Sequence, residues 1–163
     1  MKLKLSILLI IIVLFSSCSN KVINRFYNLK PSKQYYTAKL SKDIVYNDEI
    51  KMSSIETNYY KRFTLDSNEK GEIIRFLTLL KNDYFLNTDE ILKLGSEENK
   101  KAQYKLTIDI NNNKYCIEAL DENYLRVFLW DGKYVEDYIN ISSFPIGENL
   151  FYYLKYIYLT KIT

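Results

Sequence analysis

The chain of 163 residues contains no histidine, and that absence removes much of enzyme chemistry. Ser-His-Asp and Cys-His nucleophilic catalysis, the HExxH zinc motif and every imidazole metal site need the missing residue. Only four glycines are present, and neither a GxxxxGK(S/T) phosphate loop nor a GxGxxG dinucleotide fingerprint occurs among them. There is no EF-hand spacing. No metal and no cofactor is therefore expected. What the absences leave open is carboxylate-pair chemistry, a Ser-Lys arrangement, or no catalysis at all.

The start of the chain is more informative. Met1-Lys2-Leu3-Lys4 supplies positive charge and Leu5 to Phe15 an apolar run, the n-region and h-region of a secretory signal. Spanning a bilayer takes about 20 apolar residues in a helix, so this run is too short to remain as an anchor. Phe15-Ser16-Ser17-Cys18 resembles the lipobox of bacterial lipoproteins, a family that prefers Leu where Phe15 stands. The resemblance implies that the Cys18 thiol receives a diacylglyceryl group and that residues 1–17 are removed. Two acyl chains give a stable anchor where one is marginal. The alternative is an ordinary secretory signal cut near Ser17. Either way the chain is expected outside the cytoplasm, under the first reading as a lipid-anchored protein of the cell membrane. The chain has two cysteines. With Cys18 lipidated, Cys116 has no disulfide partner and is expected as a small, packed strand residue.

The 146 residues that remain after cleavage fit one domain. Charge divides it. Residues 19–42 hold six bases and no acid, whereas residues 43–163 hold 15 bases against all 20 acids. Residues 18–42 are accordingly expected as a lipid-anchored basic tether and 43–163 as the domain. Basic groups near an anionic surface contribute about 1 kcal/mol each, so the tether either lies on headgroups or wall polymer or is a solvated linker. The acidic body argues against nucleic acid as a partner.

Within the body, periodicity predicts an α+β fold. Residues 43–52 read as a strand or loose hairpin, and Tyr59 to Leu65 as a second strand. Asp66 and Glu69 form a helix-start signal, followed by Ile73, Phe76, Leu77 and Leu80 at helical spacing, which predicts a helix over about 67–81. Residues 83–101 read as a loop with a helical turn at Thr88 to Lys93. Four short β-prone runs between 103 and 139 predict an antiparallel meander, with Asp131-Gly132 as its strongest hairpin signal, a type I′ turn. A closing helix is expected over about 147–159.

Turn lengths then set a register. A two-residue turn at Asp131-Gly132 places Arg126 opposite Asp137, and the turn before Tyr124 places Glu118 opposite Arg126. One face thus carries Glu118, Arg126 and Asp137 with Tyr124, Phe128 and Trp130, while Leu125, Val127 and Leu129 line the other with Tyr138. The aromatic face is either a ligand platform, with rings stacking on a sugar or peptide, or a second core over a cross-strand ion ladder.

The run from Tyr124 through Trp130-Asp131-Gly132-Lys133 to Ile139, with Ser142 to Pro145 and Asn149-Leu150, resembles a family of small uncharacterised lipoproteins of clostridia-like, low-GC Gram-positive bacteria. The resemblance implies lipid anchoring and one small α+β domain, but no activity or functional residue. The expected function is a non-enzymatic binding or accessory module at the cell envelope. Its expected partners are membrane lipid through Cys18 and a wall polymer, a glycan or a neighbouring envelope protein. The alternative is a carboxylate-dependent hydrolase of wall glycan with Glu118 and Asp137 as the acids. An arginine bridging both holds them as carboxylates, which suits neither to donate a proton.

Overall fold

The computed structural model describes residues 30–94 and 100–162; the signal segment, Cys18 and the first part of the expected tether lie outside them. In chain order the elements are α1 (Tyr35–Val45), β1 (Lys51–Glu56), β2 (Lys61–Thr64), α2 (Ser67–Leu79), α3 (Thr88–Leu94), β3 (Tyr104–Ile110), β4 (Asn113–Ala119), β5 (Tyr124–Leu129), β6 (Asp137–Asn140) and α4 (Leu150–Ile162). The strands form one antiparallel sheet in the order β2-β1-β3-β4-β5-β6. The α+β class and the 103–139 meander are as expected.

Strict alternation builds the core. Tyr104, Leu106, Ile108 and Ile110 of β3 point to one face, with Lys105, Thr107 and Asp109 on the other. Across the strands, Met52, Leu106, Ile108, Ile117, Leu125, Val127 and Ile139 complete a buried inner face. Helices α1 and α4 cover this face, α1 against β5 and β6 and α4 against β3, where the rings of Tyr104 and Phe151 meet edge to face at 5.4 Å. The expected capping signal at α2 is present in full. Glu69 N–H donates to Asp66 Oδ1 at 2.9 Å, and Asp66 N–H to Glu69 Oε2 at 2.8 Å. Asn87 and Glu90 repeat the arrangement at the start of α3.

Three expectations are corrected. First, residues 35–42 of the expected tether and the start of the expected strand at 43–52 form α1, which buries Tyr36, Thr37 and Leu40. Secondly, Asp131-Gly132 is not a type I′ turn. That turn needs positive φ at both central residues, and in the meander it is Asn111 and Asn112 that supply it, at φ 46° and 64°. Gly132 N–H instead donates to Leu129 O at 2.9 Å, and the glycine is required by close approach. A β-carbon there would lie 2.9 Å from both Leu129 O and Tyr36 Cζ, with the Tyr36 hydroxyl nearer still.

The third correction follows from the second. Without the tight turn, β6 pairs with β5 one residue out of the expected register, so that Arg126 lies opposite Tyr138 and Val127 opposite Asp137. A slip of one residue moves every side chain of a strand to the other face. Asp137 is therefore on the inner face, fully buried, and Tyr138 is on the outer one.

Candidate functional site

The outer face of the sheet carries the residues singled out from the sequence, with Asp137 removed from them. Glu118 faces Arg126 as expected, and the charged row extends the other way, onto β3. Glu118 Oε2 accepts from Arg126 Nη2 at 2.6 Å and Glu118 Oε1 from Lys105 Nζ at 3.1 Å. Both carboxylate oxygens are thus occupied. Burial works against the Arg126 charge, but Glu118 and the Tyr138 hydroxyl outweigh it and hold the guanidinium more firmly protonated than usual. Cross-strand pairs of this kind contribute about 0.2–1 kcal/mol each.

Lys105 connects the row to the rings. Its ammonium stands 5.4 Å from the Phe128 centroid and 5.0 Å from the Trp130 centroid, within cation–π range of both. Trp130 is 65% exposed, an unusual position for the largest apolar side chain. Under the rings lies Cys116, fully buried between Thr107 on β3 and Phe128 on β5. Burial pushes its thiol up, so it stays protonated and inert.

The aromatic face divides between the two alternatives left open by the sequence. At one end, Tyr124 packs with Ile91 and Leu94 of α3 and with Leu86, Leu120 and Tyr138 in a small second core. At the other end, Phe128, Trp130 and Lys105 remain on the open sheet. The described ligand candidates are therefore Trp130, Phe128, Lys105, Glu118 and Arg126, with Tyr124 serving the packing.

Asp137 has a structural task instead. Helix α1 begins at Gln34 without a side-chain cap, and Asp137 Oδ2 accepts from the Thr37 backbone N–H at 2.7 Å, one of the donors that a helix start leaves unsatisfied. A carboxylate there also meets the positive end of the helix dipole. Glu118 and Asp137 project from opposite faces of the sheet, so the acid pair on which a glycan hydrolase was built does not exist.

Lys105 was not among the residues singled out, although the signal for it is in the sequence. A two-residue turn at Asn111-Asn112 pairs Ile110 with Asn113 and, five residues back, Lys105 with Glu118. Elsewhere, an open groove of about 560 Å³ lies between the start of α2 and α4, lined by Asp66, Glu69, Glu72, Tyr153 and Tyr156. Burial and the three neighbouring carboxylates push the Tyr153 phenol up to about 12. Among the described residues, no cluster of acids and thiols is placed to hold a metal, and no helix is long and apolar enough to cross a membrane.

Residues 30–154 match the model of a domain of unknown function, DUF4883. The chain belongs to the DUF4883 family. The matched range holds α1, every strand of the sheet and all the candidate residues on its outer face. The DUF4883 fold is also similar to a solved structure described as "Crystal Structure of Putative Lipoprotein from Clostridium perfringens". The identity is 26% and the TM-score 0.67, over 80% of this chain and 98% of that one. No curated protein matches the chain.

Proposed function

We propose that this DUF4883 protein is a lipid-anchored binding module of the cell envelope, held to the membrane through Cys18 and engaging its ligand on the outer face of the sheet at Trp130 and Phe128. Support for the anchor comes from the lipobox-like Phe15-Ser16-Ser17-Cys18 and from the Clostridium perfringens neighbour, which is itself described as a lipoprotein. One observation carries the binding role. The single tryptophan of the chain stands 65% exposed on a sheet face that α1 and α4 do not cover, beside a second ring and a lysine. An exposed indole costs solubility and contributes little to folding, whereas it offers a flat apolar surface to a sugar ring or polyol chain.

Tryptophan emission, excited on the red edge where the 16 tyrosines do not absorb, tests the binding role directly, because Trp130 is the single tryptophan. Full-length protein in neutral detergent is titrated with solubilised wall fragments and with a panel of glycans. A saturable shift that Phe128→Ala abolishes supports the platform. An emission maximum already that of a buried indole, unmoved by every addition, removes it. The anchor has a separate test: the intact mass of wild type shows residues 1–17 removed and a diacylglyceryl group on Cys18, whereas Cys18→Ser carries no diacylglyceryl group and keeps residues 1–17.

A further inference from the structure

The outer face of the sheet has a charge opposite to that of the body it belongs to. Alternation and register place Lys51, Arg62, Lys105, Lys114 and Arg126 on this face, with Asp109 and Glu118 as the only strand acids there. Five of the 15 bases of residues 43–163 are thus gathered on one surface with two of the 20 acids. Glu118 is taken up by Lys105 and Arg126, and Asp109 stands 3.9 Å from Lys114. Lys51 and Arg62 are exposed and make no ion pair among the described residues. The net positive charge of the face is therefore directed at solvent or at a ligand.

Geometry narrows the ligand. Arg62, Lys105 and Arg126 occupy one register row on alternate strands, β2, β3 and β5, with Ile55 and Glu118 between them. Neighbouring strands are about 4.8 Å apart, so Arg62 and Lys105 are about 10 Å apart, as are Lys105 and Arg126. Lys105 and Arg126 are recessed, with 23% and 19% of their side chains exposed. A thin, extended polyanion laid across the strands reaches recessed cations, whereas a broad lipid surface meets only protruding ones. Trp130 and Phe128 flank this row and favour a chain with carbon-rich units between its charges. A neutral glycan would use the rings and leave the cations without a role.

We infer that the outer face binds an anionic polymer of polyol or sugar units joined by phosphodiesters, with the phosphates along the Arg62–Lys105–Arg126 row and the carbon units on Trp130 and Phe128. The inference rests on the platform reading and specifies its ligand. Charge-dominated binding weakens steeply as salt screens it, and reversing exposed cations weakens it without touching the core.

The test follows Trp130 emission in full-length protein in neutral detergent, titrated with poly(glycerol phosphate), an uncharged polyether polyol of matched length, a single-stranded oligonucleotide of equal charge and, as the lipid arm, phosphatidylglycerol doped into the micelles against the same amount of phosphatidylcholine. Expected is saturable binding of poly(glycerol phosphate) that weakens at least about tenfold between about 0.05 and 0.3 M salt and again at least about tenfold in Lys51→Glu/Arg62→Glu. Circular dichroism of that variant, unchanged from wild type, separates lost contacts from lost fold. Equal, salt-independent binding of the uncharged polyol overturns the phosphate assignment and leaves the platform standing. A Trp130 shift with phosphatidylglycerol in the micelles, absent with phosphatidylcholine and as large as that with the polymer, or equal affinity for the oligonucleotide, also overturns it. A Trp130 signal that no polymer or glycan moves removes both the inference and the platform.

Discussion

At the scale of single residues, the two carboxylates that sequence reasoning coupled through Arg126 have different work, and their removal has different costs. Asp137 is buried and accepts the Thr37 N–H at the start of α1. Asp137→Ala leaves that donor without its acceptor and removes a charge from the helix N-terminus, which together cost at least about 2 kcal/mol. Glu118 is partly exposed, and Glu118→Gln keeps an acceptor in the same place, so its cost stays below about 1 kcal/mol. Urea denaturation of both variants checks the contrast, and equal costs would refute the assignment. Glu118 opposite Arg126 was legible because a regular turn links their strands. Asp137 was not, because Asp137, Tyr138 and Ile139 are all buried. A strand covered on both faces has no alternation from which to choose a register.

At the scale of elements, α1 is fastened to the sheet at both ends. Asp137 holds its start, and near its end Asp43 Oδ2 accepts from the Tyr115 hydroxyl at 2.5 Å, from Lys39 Nζ at 3.0 Å and from Asn113 Nδ2 at 3.1 Å. Burial raises the Asp43 carboxyl, but these hydrogen bonds and the Lys39 charge outweigh it and hold the group below the usual carboxylate range. Burial and Asp43 together push the Tyr115 phenol well above its ordinary value. The signs follow. A depressed carboxyl stabilises the fold above its unfolded value of about 3.9, and that stability is lost as pH falls through the folded value. A raised phenol contributes below about pH 10, and its contribution is lost as pH rises beyond. Asp43→Asn is therefore expected to cost about 1–2 kcal/mol at neutral pH, a deficit that shrinks toward pH 3. Denaturation across that range checks it, and a deficit independent of pH would show that the carboxylate charge is not what fastens the helix. Elements with local signals, such as the capped α2 and the alternating β3, were legible. The Asp131-Gly132 hairpin misled because Gly132 is present for the Tyr36 ring above it, a contact that no local pattern records.

At the scale of the whole molecule, the folded unit starts earlier than charge alone implies. Residues 19–42 carry bases and no acids, which is how a tether reads, and α1 lacks its own cap because Asp137 supplies one from 100 residues away. Yet Tyr36 is 2% exposed and Leu40 fully buried against the inner face. Burying side chains of this size contributes about 1.5–3 kcal/mol each, and the loss of both approaches the total stability of a small domain, about 5–15 kcal/mol. A chain of residues 43–163 also exposes the β5 and β6 surface that α1 covers and takes from the Asp137 carboxylate its hydrogen bond with the Thr37 N–H. The expectation is that residues 31–163 unfold cooperatively and give dispersed amide resonances, while residues 43–163 do neither. Cooperative unfolding of the shorter chain at the same denaturant midpoint would make α1 an appendage. Its loss would make α1 part of the domain, which then begins 17 residues after the proposed anchor at Cys18.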